Sequence, residues 1–229
     1  MLYFNSMKTL EVQVEQIYLD GSAQFICSPE LIPAPGQYLL AALRSDQPAA
    51  LILFPRESTP EGFRSAPIEH FDAPPGARLL ARGPLGHGFS LPLAARKVAL
   101  LAFDDCSARL RGLIPLAFRQ NAEVVLLASR AEEDLPEAVE VQPLQALREI
   151  LQWADFLAID VARERLRERL PELKTALGES KPLMAQVLVR APMPCGGAAE
   201  CGVCALTSAY HWKMICKDGP VFDLQKALT

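Results

Sequence analysis

Lys97 to Phe103 reads K-V-A-L-L-A-F, and Glu123 to Ser129 reads E-V-V-L-L-A-S. Both are short continuous apolar runs, the pattern of strands covered on both faces. Between them Arg109 to Gln120 has helical spacing. Beyond them Leu144 to Trp153 reads as a helix, Asp155 to Asp160 as a strand, Val161 to Leu177 as a charged amphipathic helix and Leu183 to Val189 as a final strand. Strands alternating with helices predict a parallel α/β sheet.

Toward the N-terminus the pattern changes. Leu10 to Ile17 alternates apolar and polar residues, L-E-V-Q-V-E-Q-I, as a half-buried strand does. Gln24 to Ser28, Gln37 to Leu43, Ala50 to Phe54 and Ala77 to Arg82 are further short strands, with Pro-Gly pairs at 35–36 and 75–76 as turns. Such spacing predicts a small antiparallel barrel or sandwich. The expected organisation is a barrel over 7–95, an α/β domain over 96–190 and a loop-like tail over 191–229. Residues 1–6, M-L-Y-F-N-S, read as a tag remnant outside the fold.

The chain has 229 residues and a net charge of −4, which gives no basic face for nucleic acid or an anionic membrane. No apolar run approaches the ~20 residues of a membrane span, and the N-terminus lacks a charged-then-apolar signal pattern. A cytoplasmic location is the expectation.

Of the 6 cysteines, Cys195, Cys201, Cys204 and Cys216 crowd into the tail with the spacing C-x5-C-x2-C-x11-C. In a reducing compartment such a cluster predicts metal binding before disulfides. Plant-type [2Fe–2S] proteins use C-x4-C-x2-C and a distant fourth cysteine. The first gap here is one residue longer. Gly196, Gly197, Ala198, Ala199 and Gly202 would let backbone N–H groups approach the sulfurs; Val203, Leu206 and Trp212 are candidates to shield them. Tetrahedral zinc also takes four cysteines, but zinc ribbons present two C-x2-C knuckles and this chain has one.

Cys195 to Cys204, followed by Cys216-Lys-Asp-Gly-Pro-Val-Phe222, resembles the C-terminus of the electron-transfer subunit of dihydroorotate dehydrogenase. Arg82-Gly-Pro-Leu-Gly-His-Gly-Phe89 is similar to that family's G-P-L-G-x-G-F segment, and Pro35-Gly-Gln-Tyr38 to its P-G-Q-F turn. The resemblance implies a ferredoxin-reductase-like architecture: an FAD-binding barrel, a nucleotide-binding α/β domain and a [2Fe–2S] tail held by Cys195, Cys201, Cys204 and Cys216. It further implies a flavin-bearing catalytic partner that oxidises dihydroorotate, a step of pyrimidine biosynthesis, with electrons passing through the cluster.

Three stretches depart from that family. Its R-P-x-S flavin motif is replaced by Phe54-Pro-Arg-Glu-Ser58, so that Arg56, Ser58, Gly83 and Pro84 are the candidate FAD contacts. Its glycine-rich nicotinamide turn is replaced by Phe103-Asp-Asp-Cys-Ser-Ala-Arg-Leu-Arg-Gly112. Aspartates repel a pyrophosphate and side chains block its approach to backbone, so NAD is not expected; Arg109 and Arg111 read as solvated helix charges. Its later C-G-P turn is replaced by Ala158-Ile-Asp-Val161. The alternative is a diverged paralogue serving as a docking or regulatory module, zinc-stapled or not. Cys27 reads as a small core residue, Cys106 as an inert thiol, and His70, His87 and His211 join no nucleophile; His211 and Trp212 are expected to pack on the cluster.

Overall fold

The computed structural model describes residues 9–42, 51–104, 106–130, 132–178, 183–207 and 212–225. Seven antiparallel strands make the first sheet: β1 (Thr9–Ile17), β2 (Ala23–Cys27), β3 (Tyr38–Ala42), β4 (Leu51–Leu53), β5 (Pro55–Thr59), β6 (Gly62–Ser65) and β7 (Arg78–Leu85). Their order is β4-β3-β7-β1-β2-β6-β5. The two edge strands, β4 and β5, are separated in sequence by Phe54 alone. The chain itself therefore carries one edge round to the other and makes the sheet a half-barrel. The alternation of β1 buries Val12 and Val14 inside it, where Phe25 and Phe63 stack with ring centroids 5.4 Å apart.

The second sheet has the order β10-β9-β8-β11-β12-β15. Its strands are β8 (Lys97–Ala102), β9 (Glu123–Ala128), β10 (Val139–Pro143), β11 (Phe156–Ala162), β12 (Met184–Arg190) and β15 (Val221–Asp223). The first five are parallel, as the continuous apolar runs predict, and β15 is antiparallel to β12. Helices α3 (Leu147–Trp153) and α4 (Arg163–Gly178) match their expected segments. On α4, Leu166, Leu173 and Ala176 are buried beneath a charged outer face.

The structure differs from the sequence reading in four places. The helix expected over 109–120 is two pieces, α1 (Ala108–Arg111) and α2 (Ile114–Arg119), because Pro115 in the first turn of α2 has no N–H to continue the preceding helix. Strands β5 and β6 were not legible: P-R-E-S-T has no apolar alternation and opens on a proline, which an edge strand tolerates. Strand β10, also an edge, escaped because only Val139 of its five residues is buried. The tail is not simply loop, since it forms β13 (Ala205–Thr207), β14 (Trp212–Met214), α5 (Ile215–Asp218) and the sheet strand β15.

One buried cluster spans all three parts. It joins Tyr38, Leu40 and Phe54 of the barrel with Leu101, Phe103 and Val187 of the α/β sheet, and with Cys204, Ile215, Cys216 and Phe222 of the tail.

Candidate metal centre at the three-way junction

Three segments distant in sequence meet where barrel, sheet and tail join. The N–H of Phe89 donates to the Pro35 carbonyl at 2.8 Å, and the N–H of His87 to the Gly219 carbonyl at 2.7 Å. Glycine is required at two of these crossings. A Cβ on Gly86 (φ +76°) would stand 2.4 Å from Pro220 Cδ, and one on Gly36 (φ +87°) 2.6 Å from Val221 Cγ2. The P-G-Q-Y, G-P-L-G-H-G-F and C-K-D-G-P-V-F stretches are therefore one packed joint. Tyr38, fully buried, donates its hydroxyl to the Cys216 carbonyl at 3.2 Å, which ties the barrel to the last of the four clustered cysteines.

The four thiols lie as two pairs. Cys204 and Cys216 are buried with their sulfurs 3.2 Å apart, while the Cys201 thiol donates to Cys195. All are free. Among the described residues no three His, Cys, Asp or Glu side chains converge on one metal position. Gly196, Gly197, Ala199 and Gly202 all have positive φ, between +59° and +75°. Such backbone turns its N–H groups inward as a nest for negative charge. Accordingly the Glu200 N–H donates to Cys195, with the Cys201 thiol and the N–H groups of Cys201 and Ala198 adding to it, and against a smaller effect of burial they hold this thiol down to about 6. Cys216 is pushed up to about 12 by burial, reinforced by Cys204. Burial and then the charges of Cys216 and Cys204 also raise Tyr38, against the opposing charge of Arg82.

Two arginines that the sequence did not single out grip this loop. Arg82 on β7 donates to the Gly196 carbonyl, and Arg163, the first residue of α4, to the Val203 carbonyl. Of the three residues expected to shield the thiols, Leu206 is partly buried against the core that holds Cys204 and Cys216, while Val203 and Trp212 are 40% and 74% exposed. A hairpin as short as β13–β14 has only one face to bury, and Trp212 lies on the other. His211 lies outside the described residues.

The nucleotide-like crevice is occupied by the chain's own charges. Strand order reverses between β8 and β11, the switch point at which such sheets take ligands. There Asp160, 1% exposed, receives Arg190 at 2.7 Å and Arg109 at 3.2 Å. Asp104 pairs with Arg190 and, at 3.2 Å, with Arg165, and accepts the Ala162 N–H at 2.9 Å. Burial works against the Arg190 charge, but Asp160 and Asp104 outweigh it and raise its pKa. Arg109 and Arg111 are thus not solvated helix charges; Arg111, 7% exposed, is bound to Glu132 at 2.6 Å. Asp105 is outside the described residues. Cys106 accepts the Ala108 N–H at 3.4 Å, and burial pushes the Cys27 thiol up to about 11, as befits a core cysteine.

The candidate flavin contacts fall on two strands. Arg56, 4% exposed on β5, donates to Asp20 at 2.9 Å and lies 3.4 Å from Glu57 and 3.7 Å from Asp134. Its Nε and Nη2 are buried without a hydrogen-bond partner. Ser58 is exposed on the same strand, while Gly83 and Pro84 lie on β7 beside Leu39 and Tyr38.

The fold is that of the ferredoxin reductases. An NADH-dependent reduced ferredoxin–NADP oxidoreductase superposes with a TM-score of 0.68 at 16% identity, over 96% of this chain and 88% of that one. The ferredoxin reductase of carbazole 1,9a-dioxygenase gives 0.60 at 16% identity, over 77% and 67%. A ferredoxin–NADP+ reductase from Plasmodium falciparum gives 0.57 at 11% identity, over 82% and 99%. The tail carries a more particular likeness: residues 191–227 match the family model for the iron–sulfur cluster binding domain of dihydroorotate dehydrogenase B, and all four clustered cysteines lie inside the match. A ferredoxin-reductase fold ending in an iron–sulfur cluster segment is the organisation of an electron-transfer subunit. No helix among the described residues is long and apolar enough to cross a membrane.

Proposed function

We propose that this protein is the electron-transfer subunit of a flavin-bearing oxidoreductase, with a [2Fe–2S] cluster on Cys195, Cys201, Cys204 and Cys216. The observation that carries this is the division of the thiols into two pairs within a segment of iron–sulfur type. A diiron cluster needs two thiolates on each iron, whereas a single zinc needs all four about one point. Once bound, the cluster supplies one-electron transfer. The chain's residues do the rest. The nest at 196–202 presents N–H donors to the sulfurs, Tyr38 fixes the Cys216 backbone, and exposed Cys201, Val203 and Trp212 form the face open to a partner.

The partner is taken to be a dihydroorotate dehydrogenase-like catalytic subunit, on the strength of the tail match. On the same reading FAD would be held by the barrel, with Arg56, Ser58, Gly83 and Pro84 as its contacts. The two unbonded donors of Arg56 suit a pyrophosphate, though Asp20, Glu57 and Asp134 compete for the same guanidinium. The dinucleotide crevice is filled by the Asp104–Asp160 network, so NAD is no part of this proposal.

The test is the visible spectrum of anaerobically purified protein, with iron, sulfide, zinc and flavin quantified on the same sample. Two irons and two sulfides per chain are expected. Flavin beside them would make a two-centre relay, and its absence a single-centre one. A colourless protein with one zinc, unchanged by reconstitution, would overturn the proposal in favour of a zinc-stapled docking module.

A further inference from the structure

Resting on the cluster reading above, we propose that Arg82 is a positioning residue which orders the Cys195 turn and raises the reduction potential of the centre it borders. Its guanidinium donates to the Gly196 carbonyl, one residue past Cys195. Its Nη2 would stand 3.6 Å from a Cβ on Gly197, so it lies across the outside of the turn. The residue is half-buried, and among the described residues no carboxylate pairs with it. The other arginines near the junction each have a carboxylate partner. Arg56 has Asp20, Arg109 and Arg190 have Asp160, Arg111 has Glu132, and Arg163, which holds the neighbouring Val203 carbonyl, has Glu164 at 2.9 Å. Among the described residues Arg82 has no such partner, and like Arg163 it lies against the cysteine loop.

An uncompensated positive charge out of bulk water is poorly screened. A one-electron reduction adds a negative charge to the cluster, so a nearby cation stabilises the reduced form more than the oxidised one. Net charge and hydrogen bonding around the sulfurs are the levers by which proteins set such potentials. The clamp and the charge are separable. Glutamine at 82 keeps an N–H donor for the carbonyl and loses the charge, lysine keeps the charge and loses the planar fork, and methionine loses both.

The experiment is an EPR-monitored redox titration of the reconstituted full chain and its variants, paired with amide hydrogen exchange over residues 195–199 of the metal-free protein. At the wild-type midpoint, R82Q is expected to shift the reduced-to-oxidised ratio at least tenfold toward oxidised, a midpoint fall of about 59 mV for one electron. R82K and R163Q should shift it less than threefold. R82M should speed exchange in the turn at least fivefold, and R163Q should not. An unchanged R82Q midpoint with full iron and sulfide would overturn the charge role; unchanged exchange in R82M would overturn the clamp. Failure of the wild type to take up iron and sulfide would overturn the cluster reading and the charge role with it, while exchange would still decide the clamp.

Discussion

Cys27 and Gly86 show how much rests on single side chains. Cys27 packs in the barrel core and its thiol is pushed up to about 11 by burial, against 9.0 for the free group. Between those values the unfolded chain loses this proton and the folded one keeps it. Stability from Cys27 is therefore complete below pH 9 and is lost as pH rises toward 11. Thermal melts across that window should show a downward slope that Cys27→Ala flattens. At Gly86 an added methyl meets Pro220 and the Gly219 carbonyl. Gly86→Ala should cost about 1–3 kcal/mol from crowding, beyond any backbone strain, and should lower the iron content of reconstituted protein. Gly76 also has positive φ but has open space around it, so Gly76→Ala should cost about 1–2 kcal/mol of backbone strain and leave iron content alone. The sequence displayed the cysteines and glycines because their spacing is itself the signal. It did not display Arg82 or Arg163, whose partners are carbonyls far along the chain, and a carbonyl has no letter.

At the scale of elements, the strands that read clearly are those whose burial is complete. Strands β8, β9 and β11 are apolar but for Lys97 and Glu123 at their starts and the buried Asp160, because both their faces are covered. Strands β5, β10 and β13 to β15 are edges or short pairs, and their residues answer to neighbours rather than to a period. The ends of β8, β11 and β12 also hold the Asp104–Arg190–Asp160–Arg109 network. Removing one member of a buried set leaves another charge unpaired, so Asp160→Ala should lose about 3–5 kcal/mol in denaturant unfolding. The same carboxylates lie at the switch point of the sheet, where folds of this kind take their ligands. Calorimetric titration with NADH is expected to give no saturable heat. The sequence displayed the aspartates of the 103–112 stretch but not their ion pairs, because Arg190 lies 86 residues from Asp104.

Across the whole molecule, barrel, sheet and tail share one buried cluster, and no part can open without exposing another. Unfolding should follow a single transition by near- and far-ultraviolet dichroism. Stripping the metal should lower its midpoint, by about 2–4 °C for each kcal/mol of stability lost in a chain of this size. The strand β15 gives this arrangement a consequence in time. A ribosome makes β12 well before β15, and Cys195 to Cys204 before Cys216. Until Cys216 and then Val221–Asp223 emerge, the fourth thiol is missing and the β12 edge of the second sheet is bare. The fourth thiol and the last strand of the sheet thus arrive within the same few codons. A product stopped before Cys216 would carry neither, and would leave the seven-residue β12 as the sheet's edge in place of the three-residue β15.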